Sequence, residues 1–257
     1  MSPAEQNRHT PILLEKADGY VVVTINNLTK KNSLSVQSAK SLVEIFDSVD
    51  DDETIGALVI RGVGGTFCAG ADFSTLYSVM DDPAGEIEYL GLDDLYSTFT
   101  RLKLMKVPTI AAVRGSAVGA GLNLALAADI RITAEDARFI SGFAKIGLLP
   151  GGGHSNLISR LAGHEVATSM GIFSQEVSGR RAAELGLAWE AVEDTRVEER
   201  AFELARIAAR DPVYSRMAIK TLRLTSSPAV PWDVALQAER APQLWSLRRQ
   251  GVRRKTS

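Results

Sequence analysis

Thr66-Phe67-Cys68-Ala69-Gly70-Ala71-Asp72-Phe73 and, about two supersecondary units later, Gly115-Ser116-Ala117-Val118-Gly119-Ala120-Gly121-Leu122-Asn123 decide how this chain is read. Each is a small-residue turn that follows a β-like run, Ala57 to Ile60 and Thr109 to Val113, and opens a helix-like segment. Turns of this kind present backbone N–H groups. A carbonyl held between them takes one hydrogen bond from each, the arrangement needed when a reaction drives negative charge onto the carbonyl oxygen. The pair reads as a split oxyanion hole.

Outward from these turns the chain alternates strand and helix signals. Ile12 to Glu15 and Tyr20 to Ile25 flank Ala17-Asp18-Gly19, a hairpin signal. After the polar turn Asn26 to Ser33, Ser35 caps a helix whose Val36, Ala39, Leu42, Val43, Phe46 and Val49 recur at helical spacing. Gly56 to Arg61 is strand-like, Glu86 to Met105 a long helix stopped before Pro108, and Gly119 to Ala128 a helix. Asp129 to Thr133 and Ala137 to Ser141 supply strands, Ser155 to Leu161 a short helix, and Leu187 to Val192 a last strand after Gly186. Beyond Arg196 only helical periodicity remains. The fold class is α/β: a core over residues 1–195 and a C-terminal helical region over 196–257, of the kind that packs on a neighbouring subunit.

With 257 residues, 45% of them hydrophobic, the chain buries a substantial core. Its net charge of −2 argues against a nucleic-acid footprint. The basic end, Arg248, Arg249, Arg253, Arg254 and Lys255, reads as a solvated tail or as a contact to a phosphate-bearing ligand. Cys68 is the only cysteine, which forbids an intrachain disulfide and suits the cytoplasm. It has no neighbouring base or cation and reads as a small buried filler. Met1 to Thr10 lacks the apolar stretch of a signal peptide, and the apolar run Gly115 to Ala128 is shorter than a span, so no membrane partner is expected. Three histidines, His9, His154 and His164, lie without paired spacing and give no metal site, His9 and His164 reading as surface residues.

Four ordered segments resemble the crotonase superfamily, the enoyl-CoA hydratase/isomerase family: Lys30-Lys31-Asn32-Ser33-Leu34, Phe67 to Asp72, Gly115 to Ile130, and Gly147-Leu148-Leu149-Pro150-Gly151-Gly152-Gly153. The resemblance covers about Ile12 to Val192. It implies a crotonase-like spiral of β-β-α units, assembled as a homotrimer or a dimer of trimers. It also implies an acyl-CoA thioester as partner, with coenzyme A present only as part of the substrate and no covalently bound cofactor. Carried over by position, the N–H groups of Ala71 and Ala120 form the oxyanion hole. Ala69, Gly70 and Asp72 line the adenine end of CoA, with Lys30, Lys31 and Ser33 near the ribose and phosphates. The helix after Asp72, with Phe73, Leu76, Tyr77 and Met80, walls the acyl pocket.

The same resemblance marks departures. The family's hydratases use two glutamates to activate water and protonate the α-carbon, and these fall at Asn123 and Phe143, neither of which exchanges a proton at neutral pH. The histidine of the diketone-cleaving branch would also fall at Phe143, and a dehalogenase-type aspartate near Gly151. His154, directly after the glycine turn, is the remaining candidate for proton exchange. The expectation is an acyl-CoA enzyme, a lyase or isomerase of fatty acid metabolism, that uses the oxyanion hole without the two-glutamate mechanism. Alternatives are a non-catalytic acyl-CoA binding protein, a decarboxylase or C–C hydrolase on a malonyl- or 3-oxo-type thioester, and a hydrolase of a non-CoA diketone.

Overall fold

The computed structural model describes residues 10–82 and 85–256. Its central sheet has six strands in the order β1-β2-β3-β4-β6-β9: β1 Ile12–Lys16, β2 Tyr20–Ile25, β3 Ala57–Gly62, β4 Thr109–Val113, β6 Ile130–Ala134 and β9 Glu190–Val192. Only β1 and β2 pair antiparallel, closed by the turn at Gly19, whose φ of +75° lies where glycine is favoured. The other pairs are parallel, so β2, β3 and β4 read as the near-continuous apolar runs YVVVTI, ALVIRG and TIAAV. A second sheet, β5-β7-β8, joins Ser116–Val118, Arg138–Ile140 and Val177–Ser178. Through β5 it holds the Gly115–Asn123 turn against β7.

The first helix, α1 Val36–Asp51, starts at a Ser35/Ser38 capping box. Helix α2 spans Phe73–Asp81, and α3 spans Glu86–Lys103 and packs on α1. Helix α4 covers Ala120–Ala127 and is buried almost throughout. The short helix expected at Ser155 to Leu161 is longer: α5 runs His154–Gly171, bent where Gly163 takes φ +86° and ψ 171°. Weak signals hid three elements, β5, the two-residue β8 and α6 Gly179–Glu184.

Beyond residue 196, α7 Val197–Ala209 lies along β2, β3, β4 and β6, burying Val197, Ala201 and Ala205. Helix α8, Pro212–Thr225, supplies Arg216, whose guanidinium donates to the carbonyls of Val49, Asp50, Asp52 and Ile55. Val49 and Asp50 are among the orphan acceptors in the last turn of α1, and Asp52 and Ile55 lie in the segment that follows it. Helix α9, Trp232–Thr256, packs on α8. One part of the basic end departs from a solvated tail: Arg249 pairs with Asp211 at 3.1 Å and lies 4.7 Å over the Trp245 ring. His9 and most of Met1 to Thr10 lie outside the described residues. No helix among the described residues is long and apolar enough to cross a membrane.

Candidate active site

Backbone hydrogen bonds draw the four motif segments together. Ala69 N–H donates to Lys31 O, Leu34 N–H to Gly70 O and Asp72 N–H to Leu34 O, which zips the Lys30–Leu34 turn to the Phe67–Asp72 turn. Asn32 is the buried clamp of this contact. Its Nδ2 donates to Val63 O and Thr66 O, and its Oδ1 accepts from Asn27 N–H. Lys31 and Asn32 take φ of 50° and 59° to make the turn. The sequence reading passed over Asn32, although Asn is the side chain best suited to such a left-handed position.

A parallel bridge then joins the two small-residue turns: Cys68 N–H donates to Ser116 O, and Val118 N–H to Cys68 O. Their approach depends on glycine. A Cβ on Gly70, at φ +102°, would stand 2.9 Å from Val118 O and 3.8 Å from the Ala120 nitrogen. One on Gly121 would collide with the Cys68 carbonyl and come within 2.7 Å of its Cβ. Cys68 is fully buried there and its thiol is pushed up to about 12 by burial, an inert filler.

Ala71 and Ala120 both line one apolar cavity of about 210 Å³. Among the described residues neither N–H donates to a backbone carbonyl in a turn, loop or cap. Ala120 is the first residue of α4, where an N–H has no intrahelical acceptor and the helix dipole is positive. Left-handed φ among described non-glycine residues is confined to Lys31, Asn32 and Ser174, so Ala120 keeps ordinary geometry while Gly119, at φ +52°, makes the turn.

The cavity's other walls come from Leu76, Val79 and Met80 of α2, from Leu92, Leu95, Tyr96 and Phe99 of α3, and from Asn123, Phe143, Leu148, Leu149 and Gly151. Phe73 and Tyr77 do not reach it. They stack on each other at 6.1 Å on an exposed face, while positions 76, 79 and 80 share the inward one. The α3 wall was missed, though Leu92, Leu95, Tyr96 and Phe99 stand at the spacing of one helix face. Among the described residues the lining contains no carboxylate, imidazole or amine.

His154 is 1% exposed and faces inward, behind the cavity wall. Its Nδ1 lies 2.7 Å from Asn123 Oδ1 and its Nε2 2.6 Å from Ser141 Oγ, while Phe143 meets the ring edge-on at 4.9 Å. Burial pulls its pKa down to about 4, so the ring is neutral at physiological pH. Ser141 had been passed over as an ordinary strand residue. His164 is exposed, within 3.4 Å of Thr168 Oγ1.

At the outer side, Lys30 Nζ pairs with Asp72 Oδ2, and Asp72 Oδ1 caps α2 by accepting from Ser74 N–H. Burial raises the Asp72 pKa, but hydrogen bonds from Lys30 and Ser74 outweigh it and hold the carboxyl below its ordinary value. Lys31 is exposed and Ser33 buried beside them.

Known proteins share both the fold and the sequence. A crystal structure of an enoyl-CoA hydratase from Polaromonas sp. JS666 superposes with a TM-score of 0.85 at 24% identity, covering 92% of this chain and 91% of that one, which shows the fold. The probable enoyl-CoA hydratase EchA14 of Mycobacterium tuberculosis is 36% identical over 245 residues, 93% of each chain. The 1,2-epoxyphenylacetyl-CoA isomerase of Escherichia coli is 34% identical over 232 residues, 89% of this chain and 87% of that protein. The family model for enoyl-CoA hydratase/isomerase matches residues 15–246. With nearly the whole chain matched and the spiral's sheets in place, the protein belongs to the enoyl-CoA hydratase/isomerase family, whose enzymes act on acyl-CoA thioesters.

Proposed function

We propose that this protein is an acyl-CoA enzyme that stabilises a thioester enolate between the N–H groups of Ala71 and Ala120, by a route other than two-glutamate hydration. The observation carrying this reading is the cavity that both alanines line: its wall includes Asn123 and Phe143, to which the resemblance assigns the glutamate positions, and among the described residues it holds no carboxylate. Without a side-chain base to take a proton from C2, the enolate has to come from breaking another bond. Loss of carbon dioxide from a malonyl-type thioester supplies that electron pair; in retro-Claisen cleavage of a 3-oxoacyl thioester, water adds at C3 and the C2–C3 bond breaks, releasing the C3 fragment as a carboxylic acid, and in both cases the enolate takes its proton from water. A substrate with an oxygen ring at C2 and C3, suggested by the name of the Escherichia coli relative, is a separate case that needs no enolate, since the ring's C–O bond opens with its electron pair going to the oxygen.

The thioester carbonyl sits between the two turns, so its oxygen gains charge where two donors already point and the start of α4 adds its dipole. Lys30, Lys31 and Ser33 take the ribose and phosphate side of CoA, with Ala69, Gly70 and Asp72 toward adenine. The Lys30–Asp72 pair supports this by fixing a cation at the cavity's outer edge. A cavity of ~150 Å³ admits a benzene ring. At about 210 Å³ this one suits a short aliphatic chain or a single ring. Exposed Trp232, Leu244 and Leu247 on α9 suit the same chain packing as a homotrimer or dimer of trimers.

Incubation with enoyl-, malonyl-, 3-oxoacyl- and 2,3-epoxyacyl-CoA, followed by mass spectrometry, tests the reading. Turnover of one of the last three with negligible hydration of the enoyl species is the expected result. Fast enoyl hydration would refute the mechanism, and stoichiometric retention without turnover would favour a binding protein.

A further inference from the structure

Asn123 is the one polar side chain of the cavity wall that is pinned on two sides. Its Nδ2 stands 2.9 Å from Gly151 O, and its Oδ1 2.7 Å from His154 Nδ1. Rotating the amide by half a turn would set Oδ1 against the Gly151 carbonyl, two acceptors facing each other. The amide therefore donates to Gly151 and accepts from His154, which fixes the proton of the neutral imidazole on Nδ1. Nε2 is then an acceptor, to which the Ser141 hydroxyl donates a hydrogen bond at 2.6 Å. Ser141, His154, Asn123 and Gly151 form a chain of one polarity. Ser141 and His154 are 2% and 1% exposed, and neither lines the cavity.

A chain of this kind spends one Nδ2 hydrogen on Gly151 and leaves the other. Asn123 follows Ala120 by three positions on α4, so the two share a face ~4.5 Å apart along the axis. Helical Cα–Cβ bonds lean toward the N-terminus, which tilts the amide back toward the Ala120 N–H.

We propose that Asn123 donates its second Nδ2–H to an oxygen carried on C2 or C3 of the acyl chain, and that His154, backed by Ser141, is the positioning residue that keeps this amide a donor. The inference rests on the acyl-CoA reading above and assigns to Asn123 the recognition of the oxygen that its proposed substrates carry at C2 or C3. His154 acts through Asn123 and touches no substrate. With Oδ1 turned to the imidazole, the amide offers the cavity a hydrogen and no acceptor, so it favours an acceptor oxygen over a plain methylene.

Calorimetric titration with butyryl-CoA, 2-hydroxybutyryl-CoA and both enantiomers of 3-hydroxybutyryl-CoA reads this out as a ratio of affinities. For the wild type, at least one hydroxylated ligand binds about 3- to 10-fold tighter than butyryl-CoA. Asn123→Leu and His154→Leu bring that ratio to about one, whereas His154→Asn, whose amide replaces the Nδ1–H, restores it. A structural role alone would move all affinities together and leave the ratio in place. Binding of butyryl-CoA with no preference in the wild type overturns the inference and leaves the acyl-CoA reading intact. A preference surviving in Asn123→Leu overturns the donor role, and one surviving in His154→Leu overturns the positioning role. Binding of none of the four ligands overturns both readings.

Discussion

Replacing His154 by Asn makes the protein less sensitive to mild acid, because the imidazole is held neutral in a site that excludes water. Unfolded, the ring takes up a proton near its ordinary value of 6.5; folded, it resists until about 4. Between those values the unfolded state binds more protons than the folded one, so stability rises with pH through the window and is lost as pH falls through it. At 1.36 kcal/mol per unit the whole gap is worth ~3 kcal/mol, of which ~2 kcal/mol is lost between about pH 7.5 and about pH 5. With a side chain 1% exposed, solvent screening takes little from this figure. The corresponding drop in Tm is roughly 4–8 °C for a chain of this size.

Urea denaturation of wild type and His154→Asn at the two pH values, at one protein concentration because assembly shifts apparent stability, gives the comparison. The variant starts lower, having lost the Ser141 contact. Its loss on acidification should be smaller than the wild type's by ~2 kcal/mol. Carboxylates held low, such as Asp72 and Asp194, titrate below the window and are common to both proteins. Equal losses in the two proteins would refute the claim that this imidazole is buried and neutral.

Ala120→Pro removes one oxyanion donor at a helix position where proline is tolerated, and should lower kcat by roughly 100- to 1,000-fold with the fold intact by circular dichroism. A loss under about tenfold would exclude Ala120 as a donor. Crotonyl-CoA hydration should be negligible, since each missing acid or base group is worth on the order of 100- to 10,000-fold; a rate like that of ordinary hydratases, measured spectrophotometrically, would contradict the role given to Asn123 and Phe143. Gly121→Ala should destabilise by about 1–3 kcal/mol in urea melts as its methyl meets Cys68. Cys68 should resist iodoacetamide in the native protein and react on unfolding, as mass spectrometry would report.

The strands and major helices were legible because parallel, doubly buried strands such as β2 and β3 have to be apolar throughout, and α1 announces itself with Ser35 and a clean 3.6-residue period. The small strands β5 and β8 were not, because two or three residues carry no period. The turns that hold Ala71, Ala120 and Asn123 were legible, and all three residues line the cavity. Phe73 was placed on the wrong side because an all-apolar stripe does not say which residues of α2 turn inward. The pairing of Ser141 with His154 spans 13 positions and depends on β7 and α5 meeting under Phe143. No local pattern encodes that contact. Asn32 shows the opposite case, a clamp whose residue type pointed to a left-handed turn and could have been read.

The central claim, that Ala71 and Ala120 polarise a thioester carbonyl, is tested most directly by isotope-edited infrared spectroscopy of butyryl-CoA labelled with carbon-13 at the carbonyl. On binding to the wild type its stretching frequency should fall, because two N–H donors draw charge onto the oxygen, and in Ala120→Pro the fall should be about halved, one of two donors having gone. A bound carbonyl that absorbs where the free thioester does, or a fall unchanged in Ala120→Pro, would contradict the account.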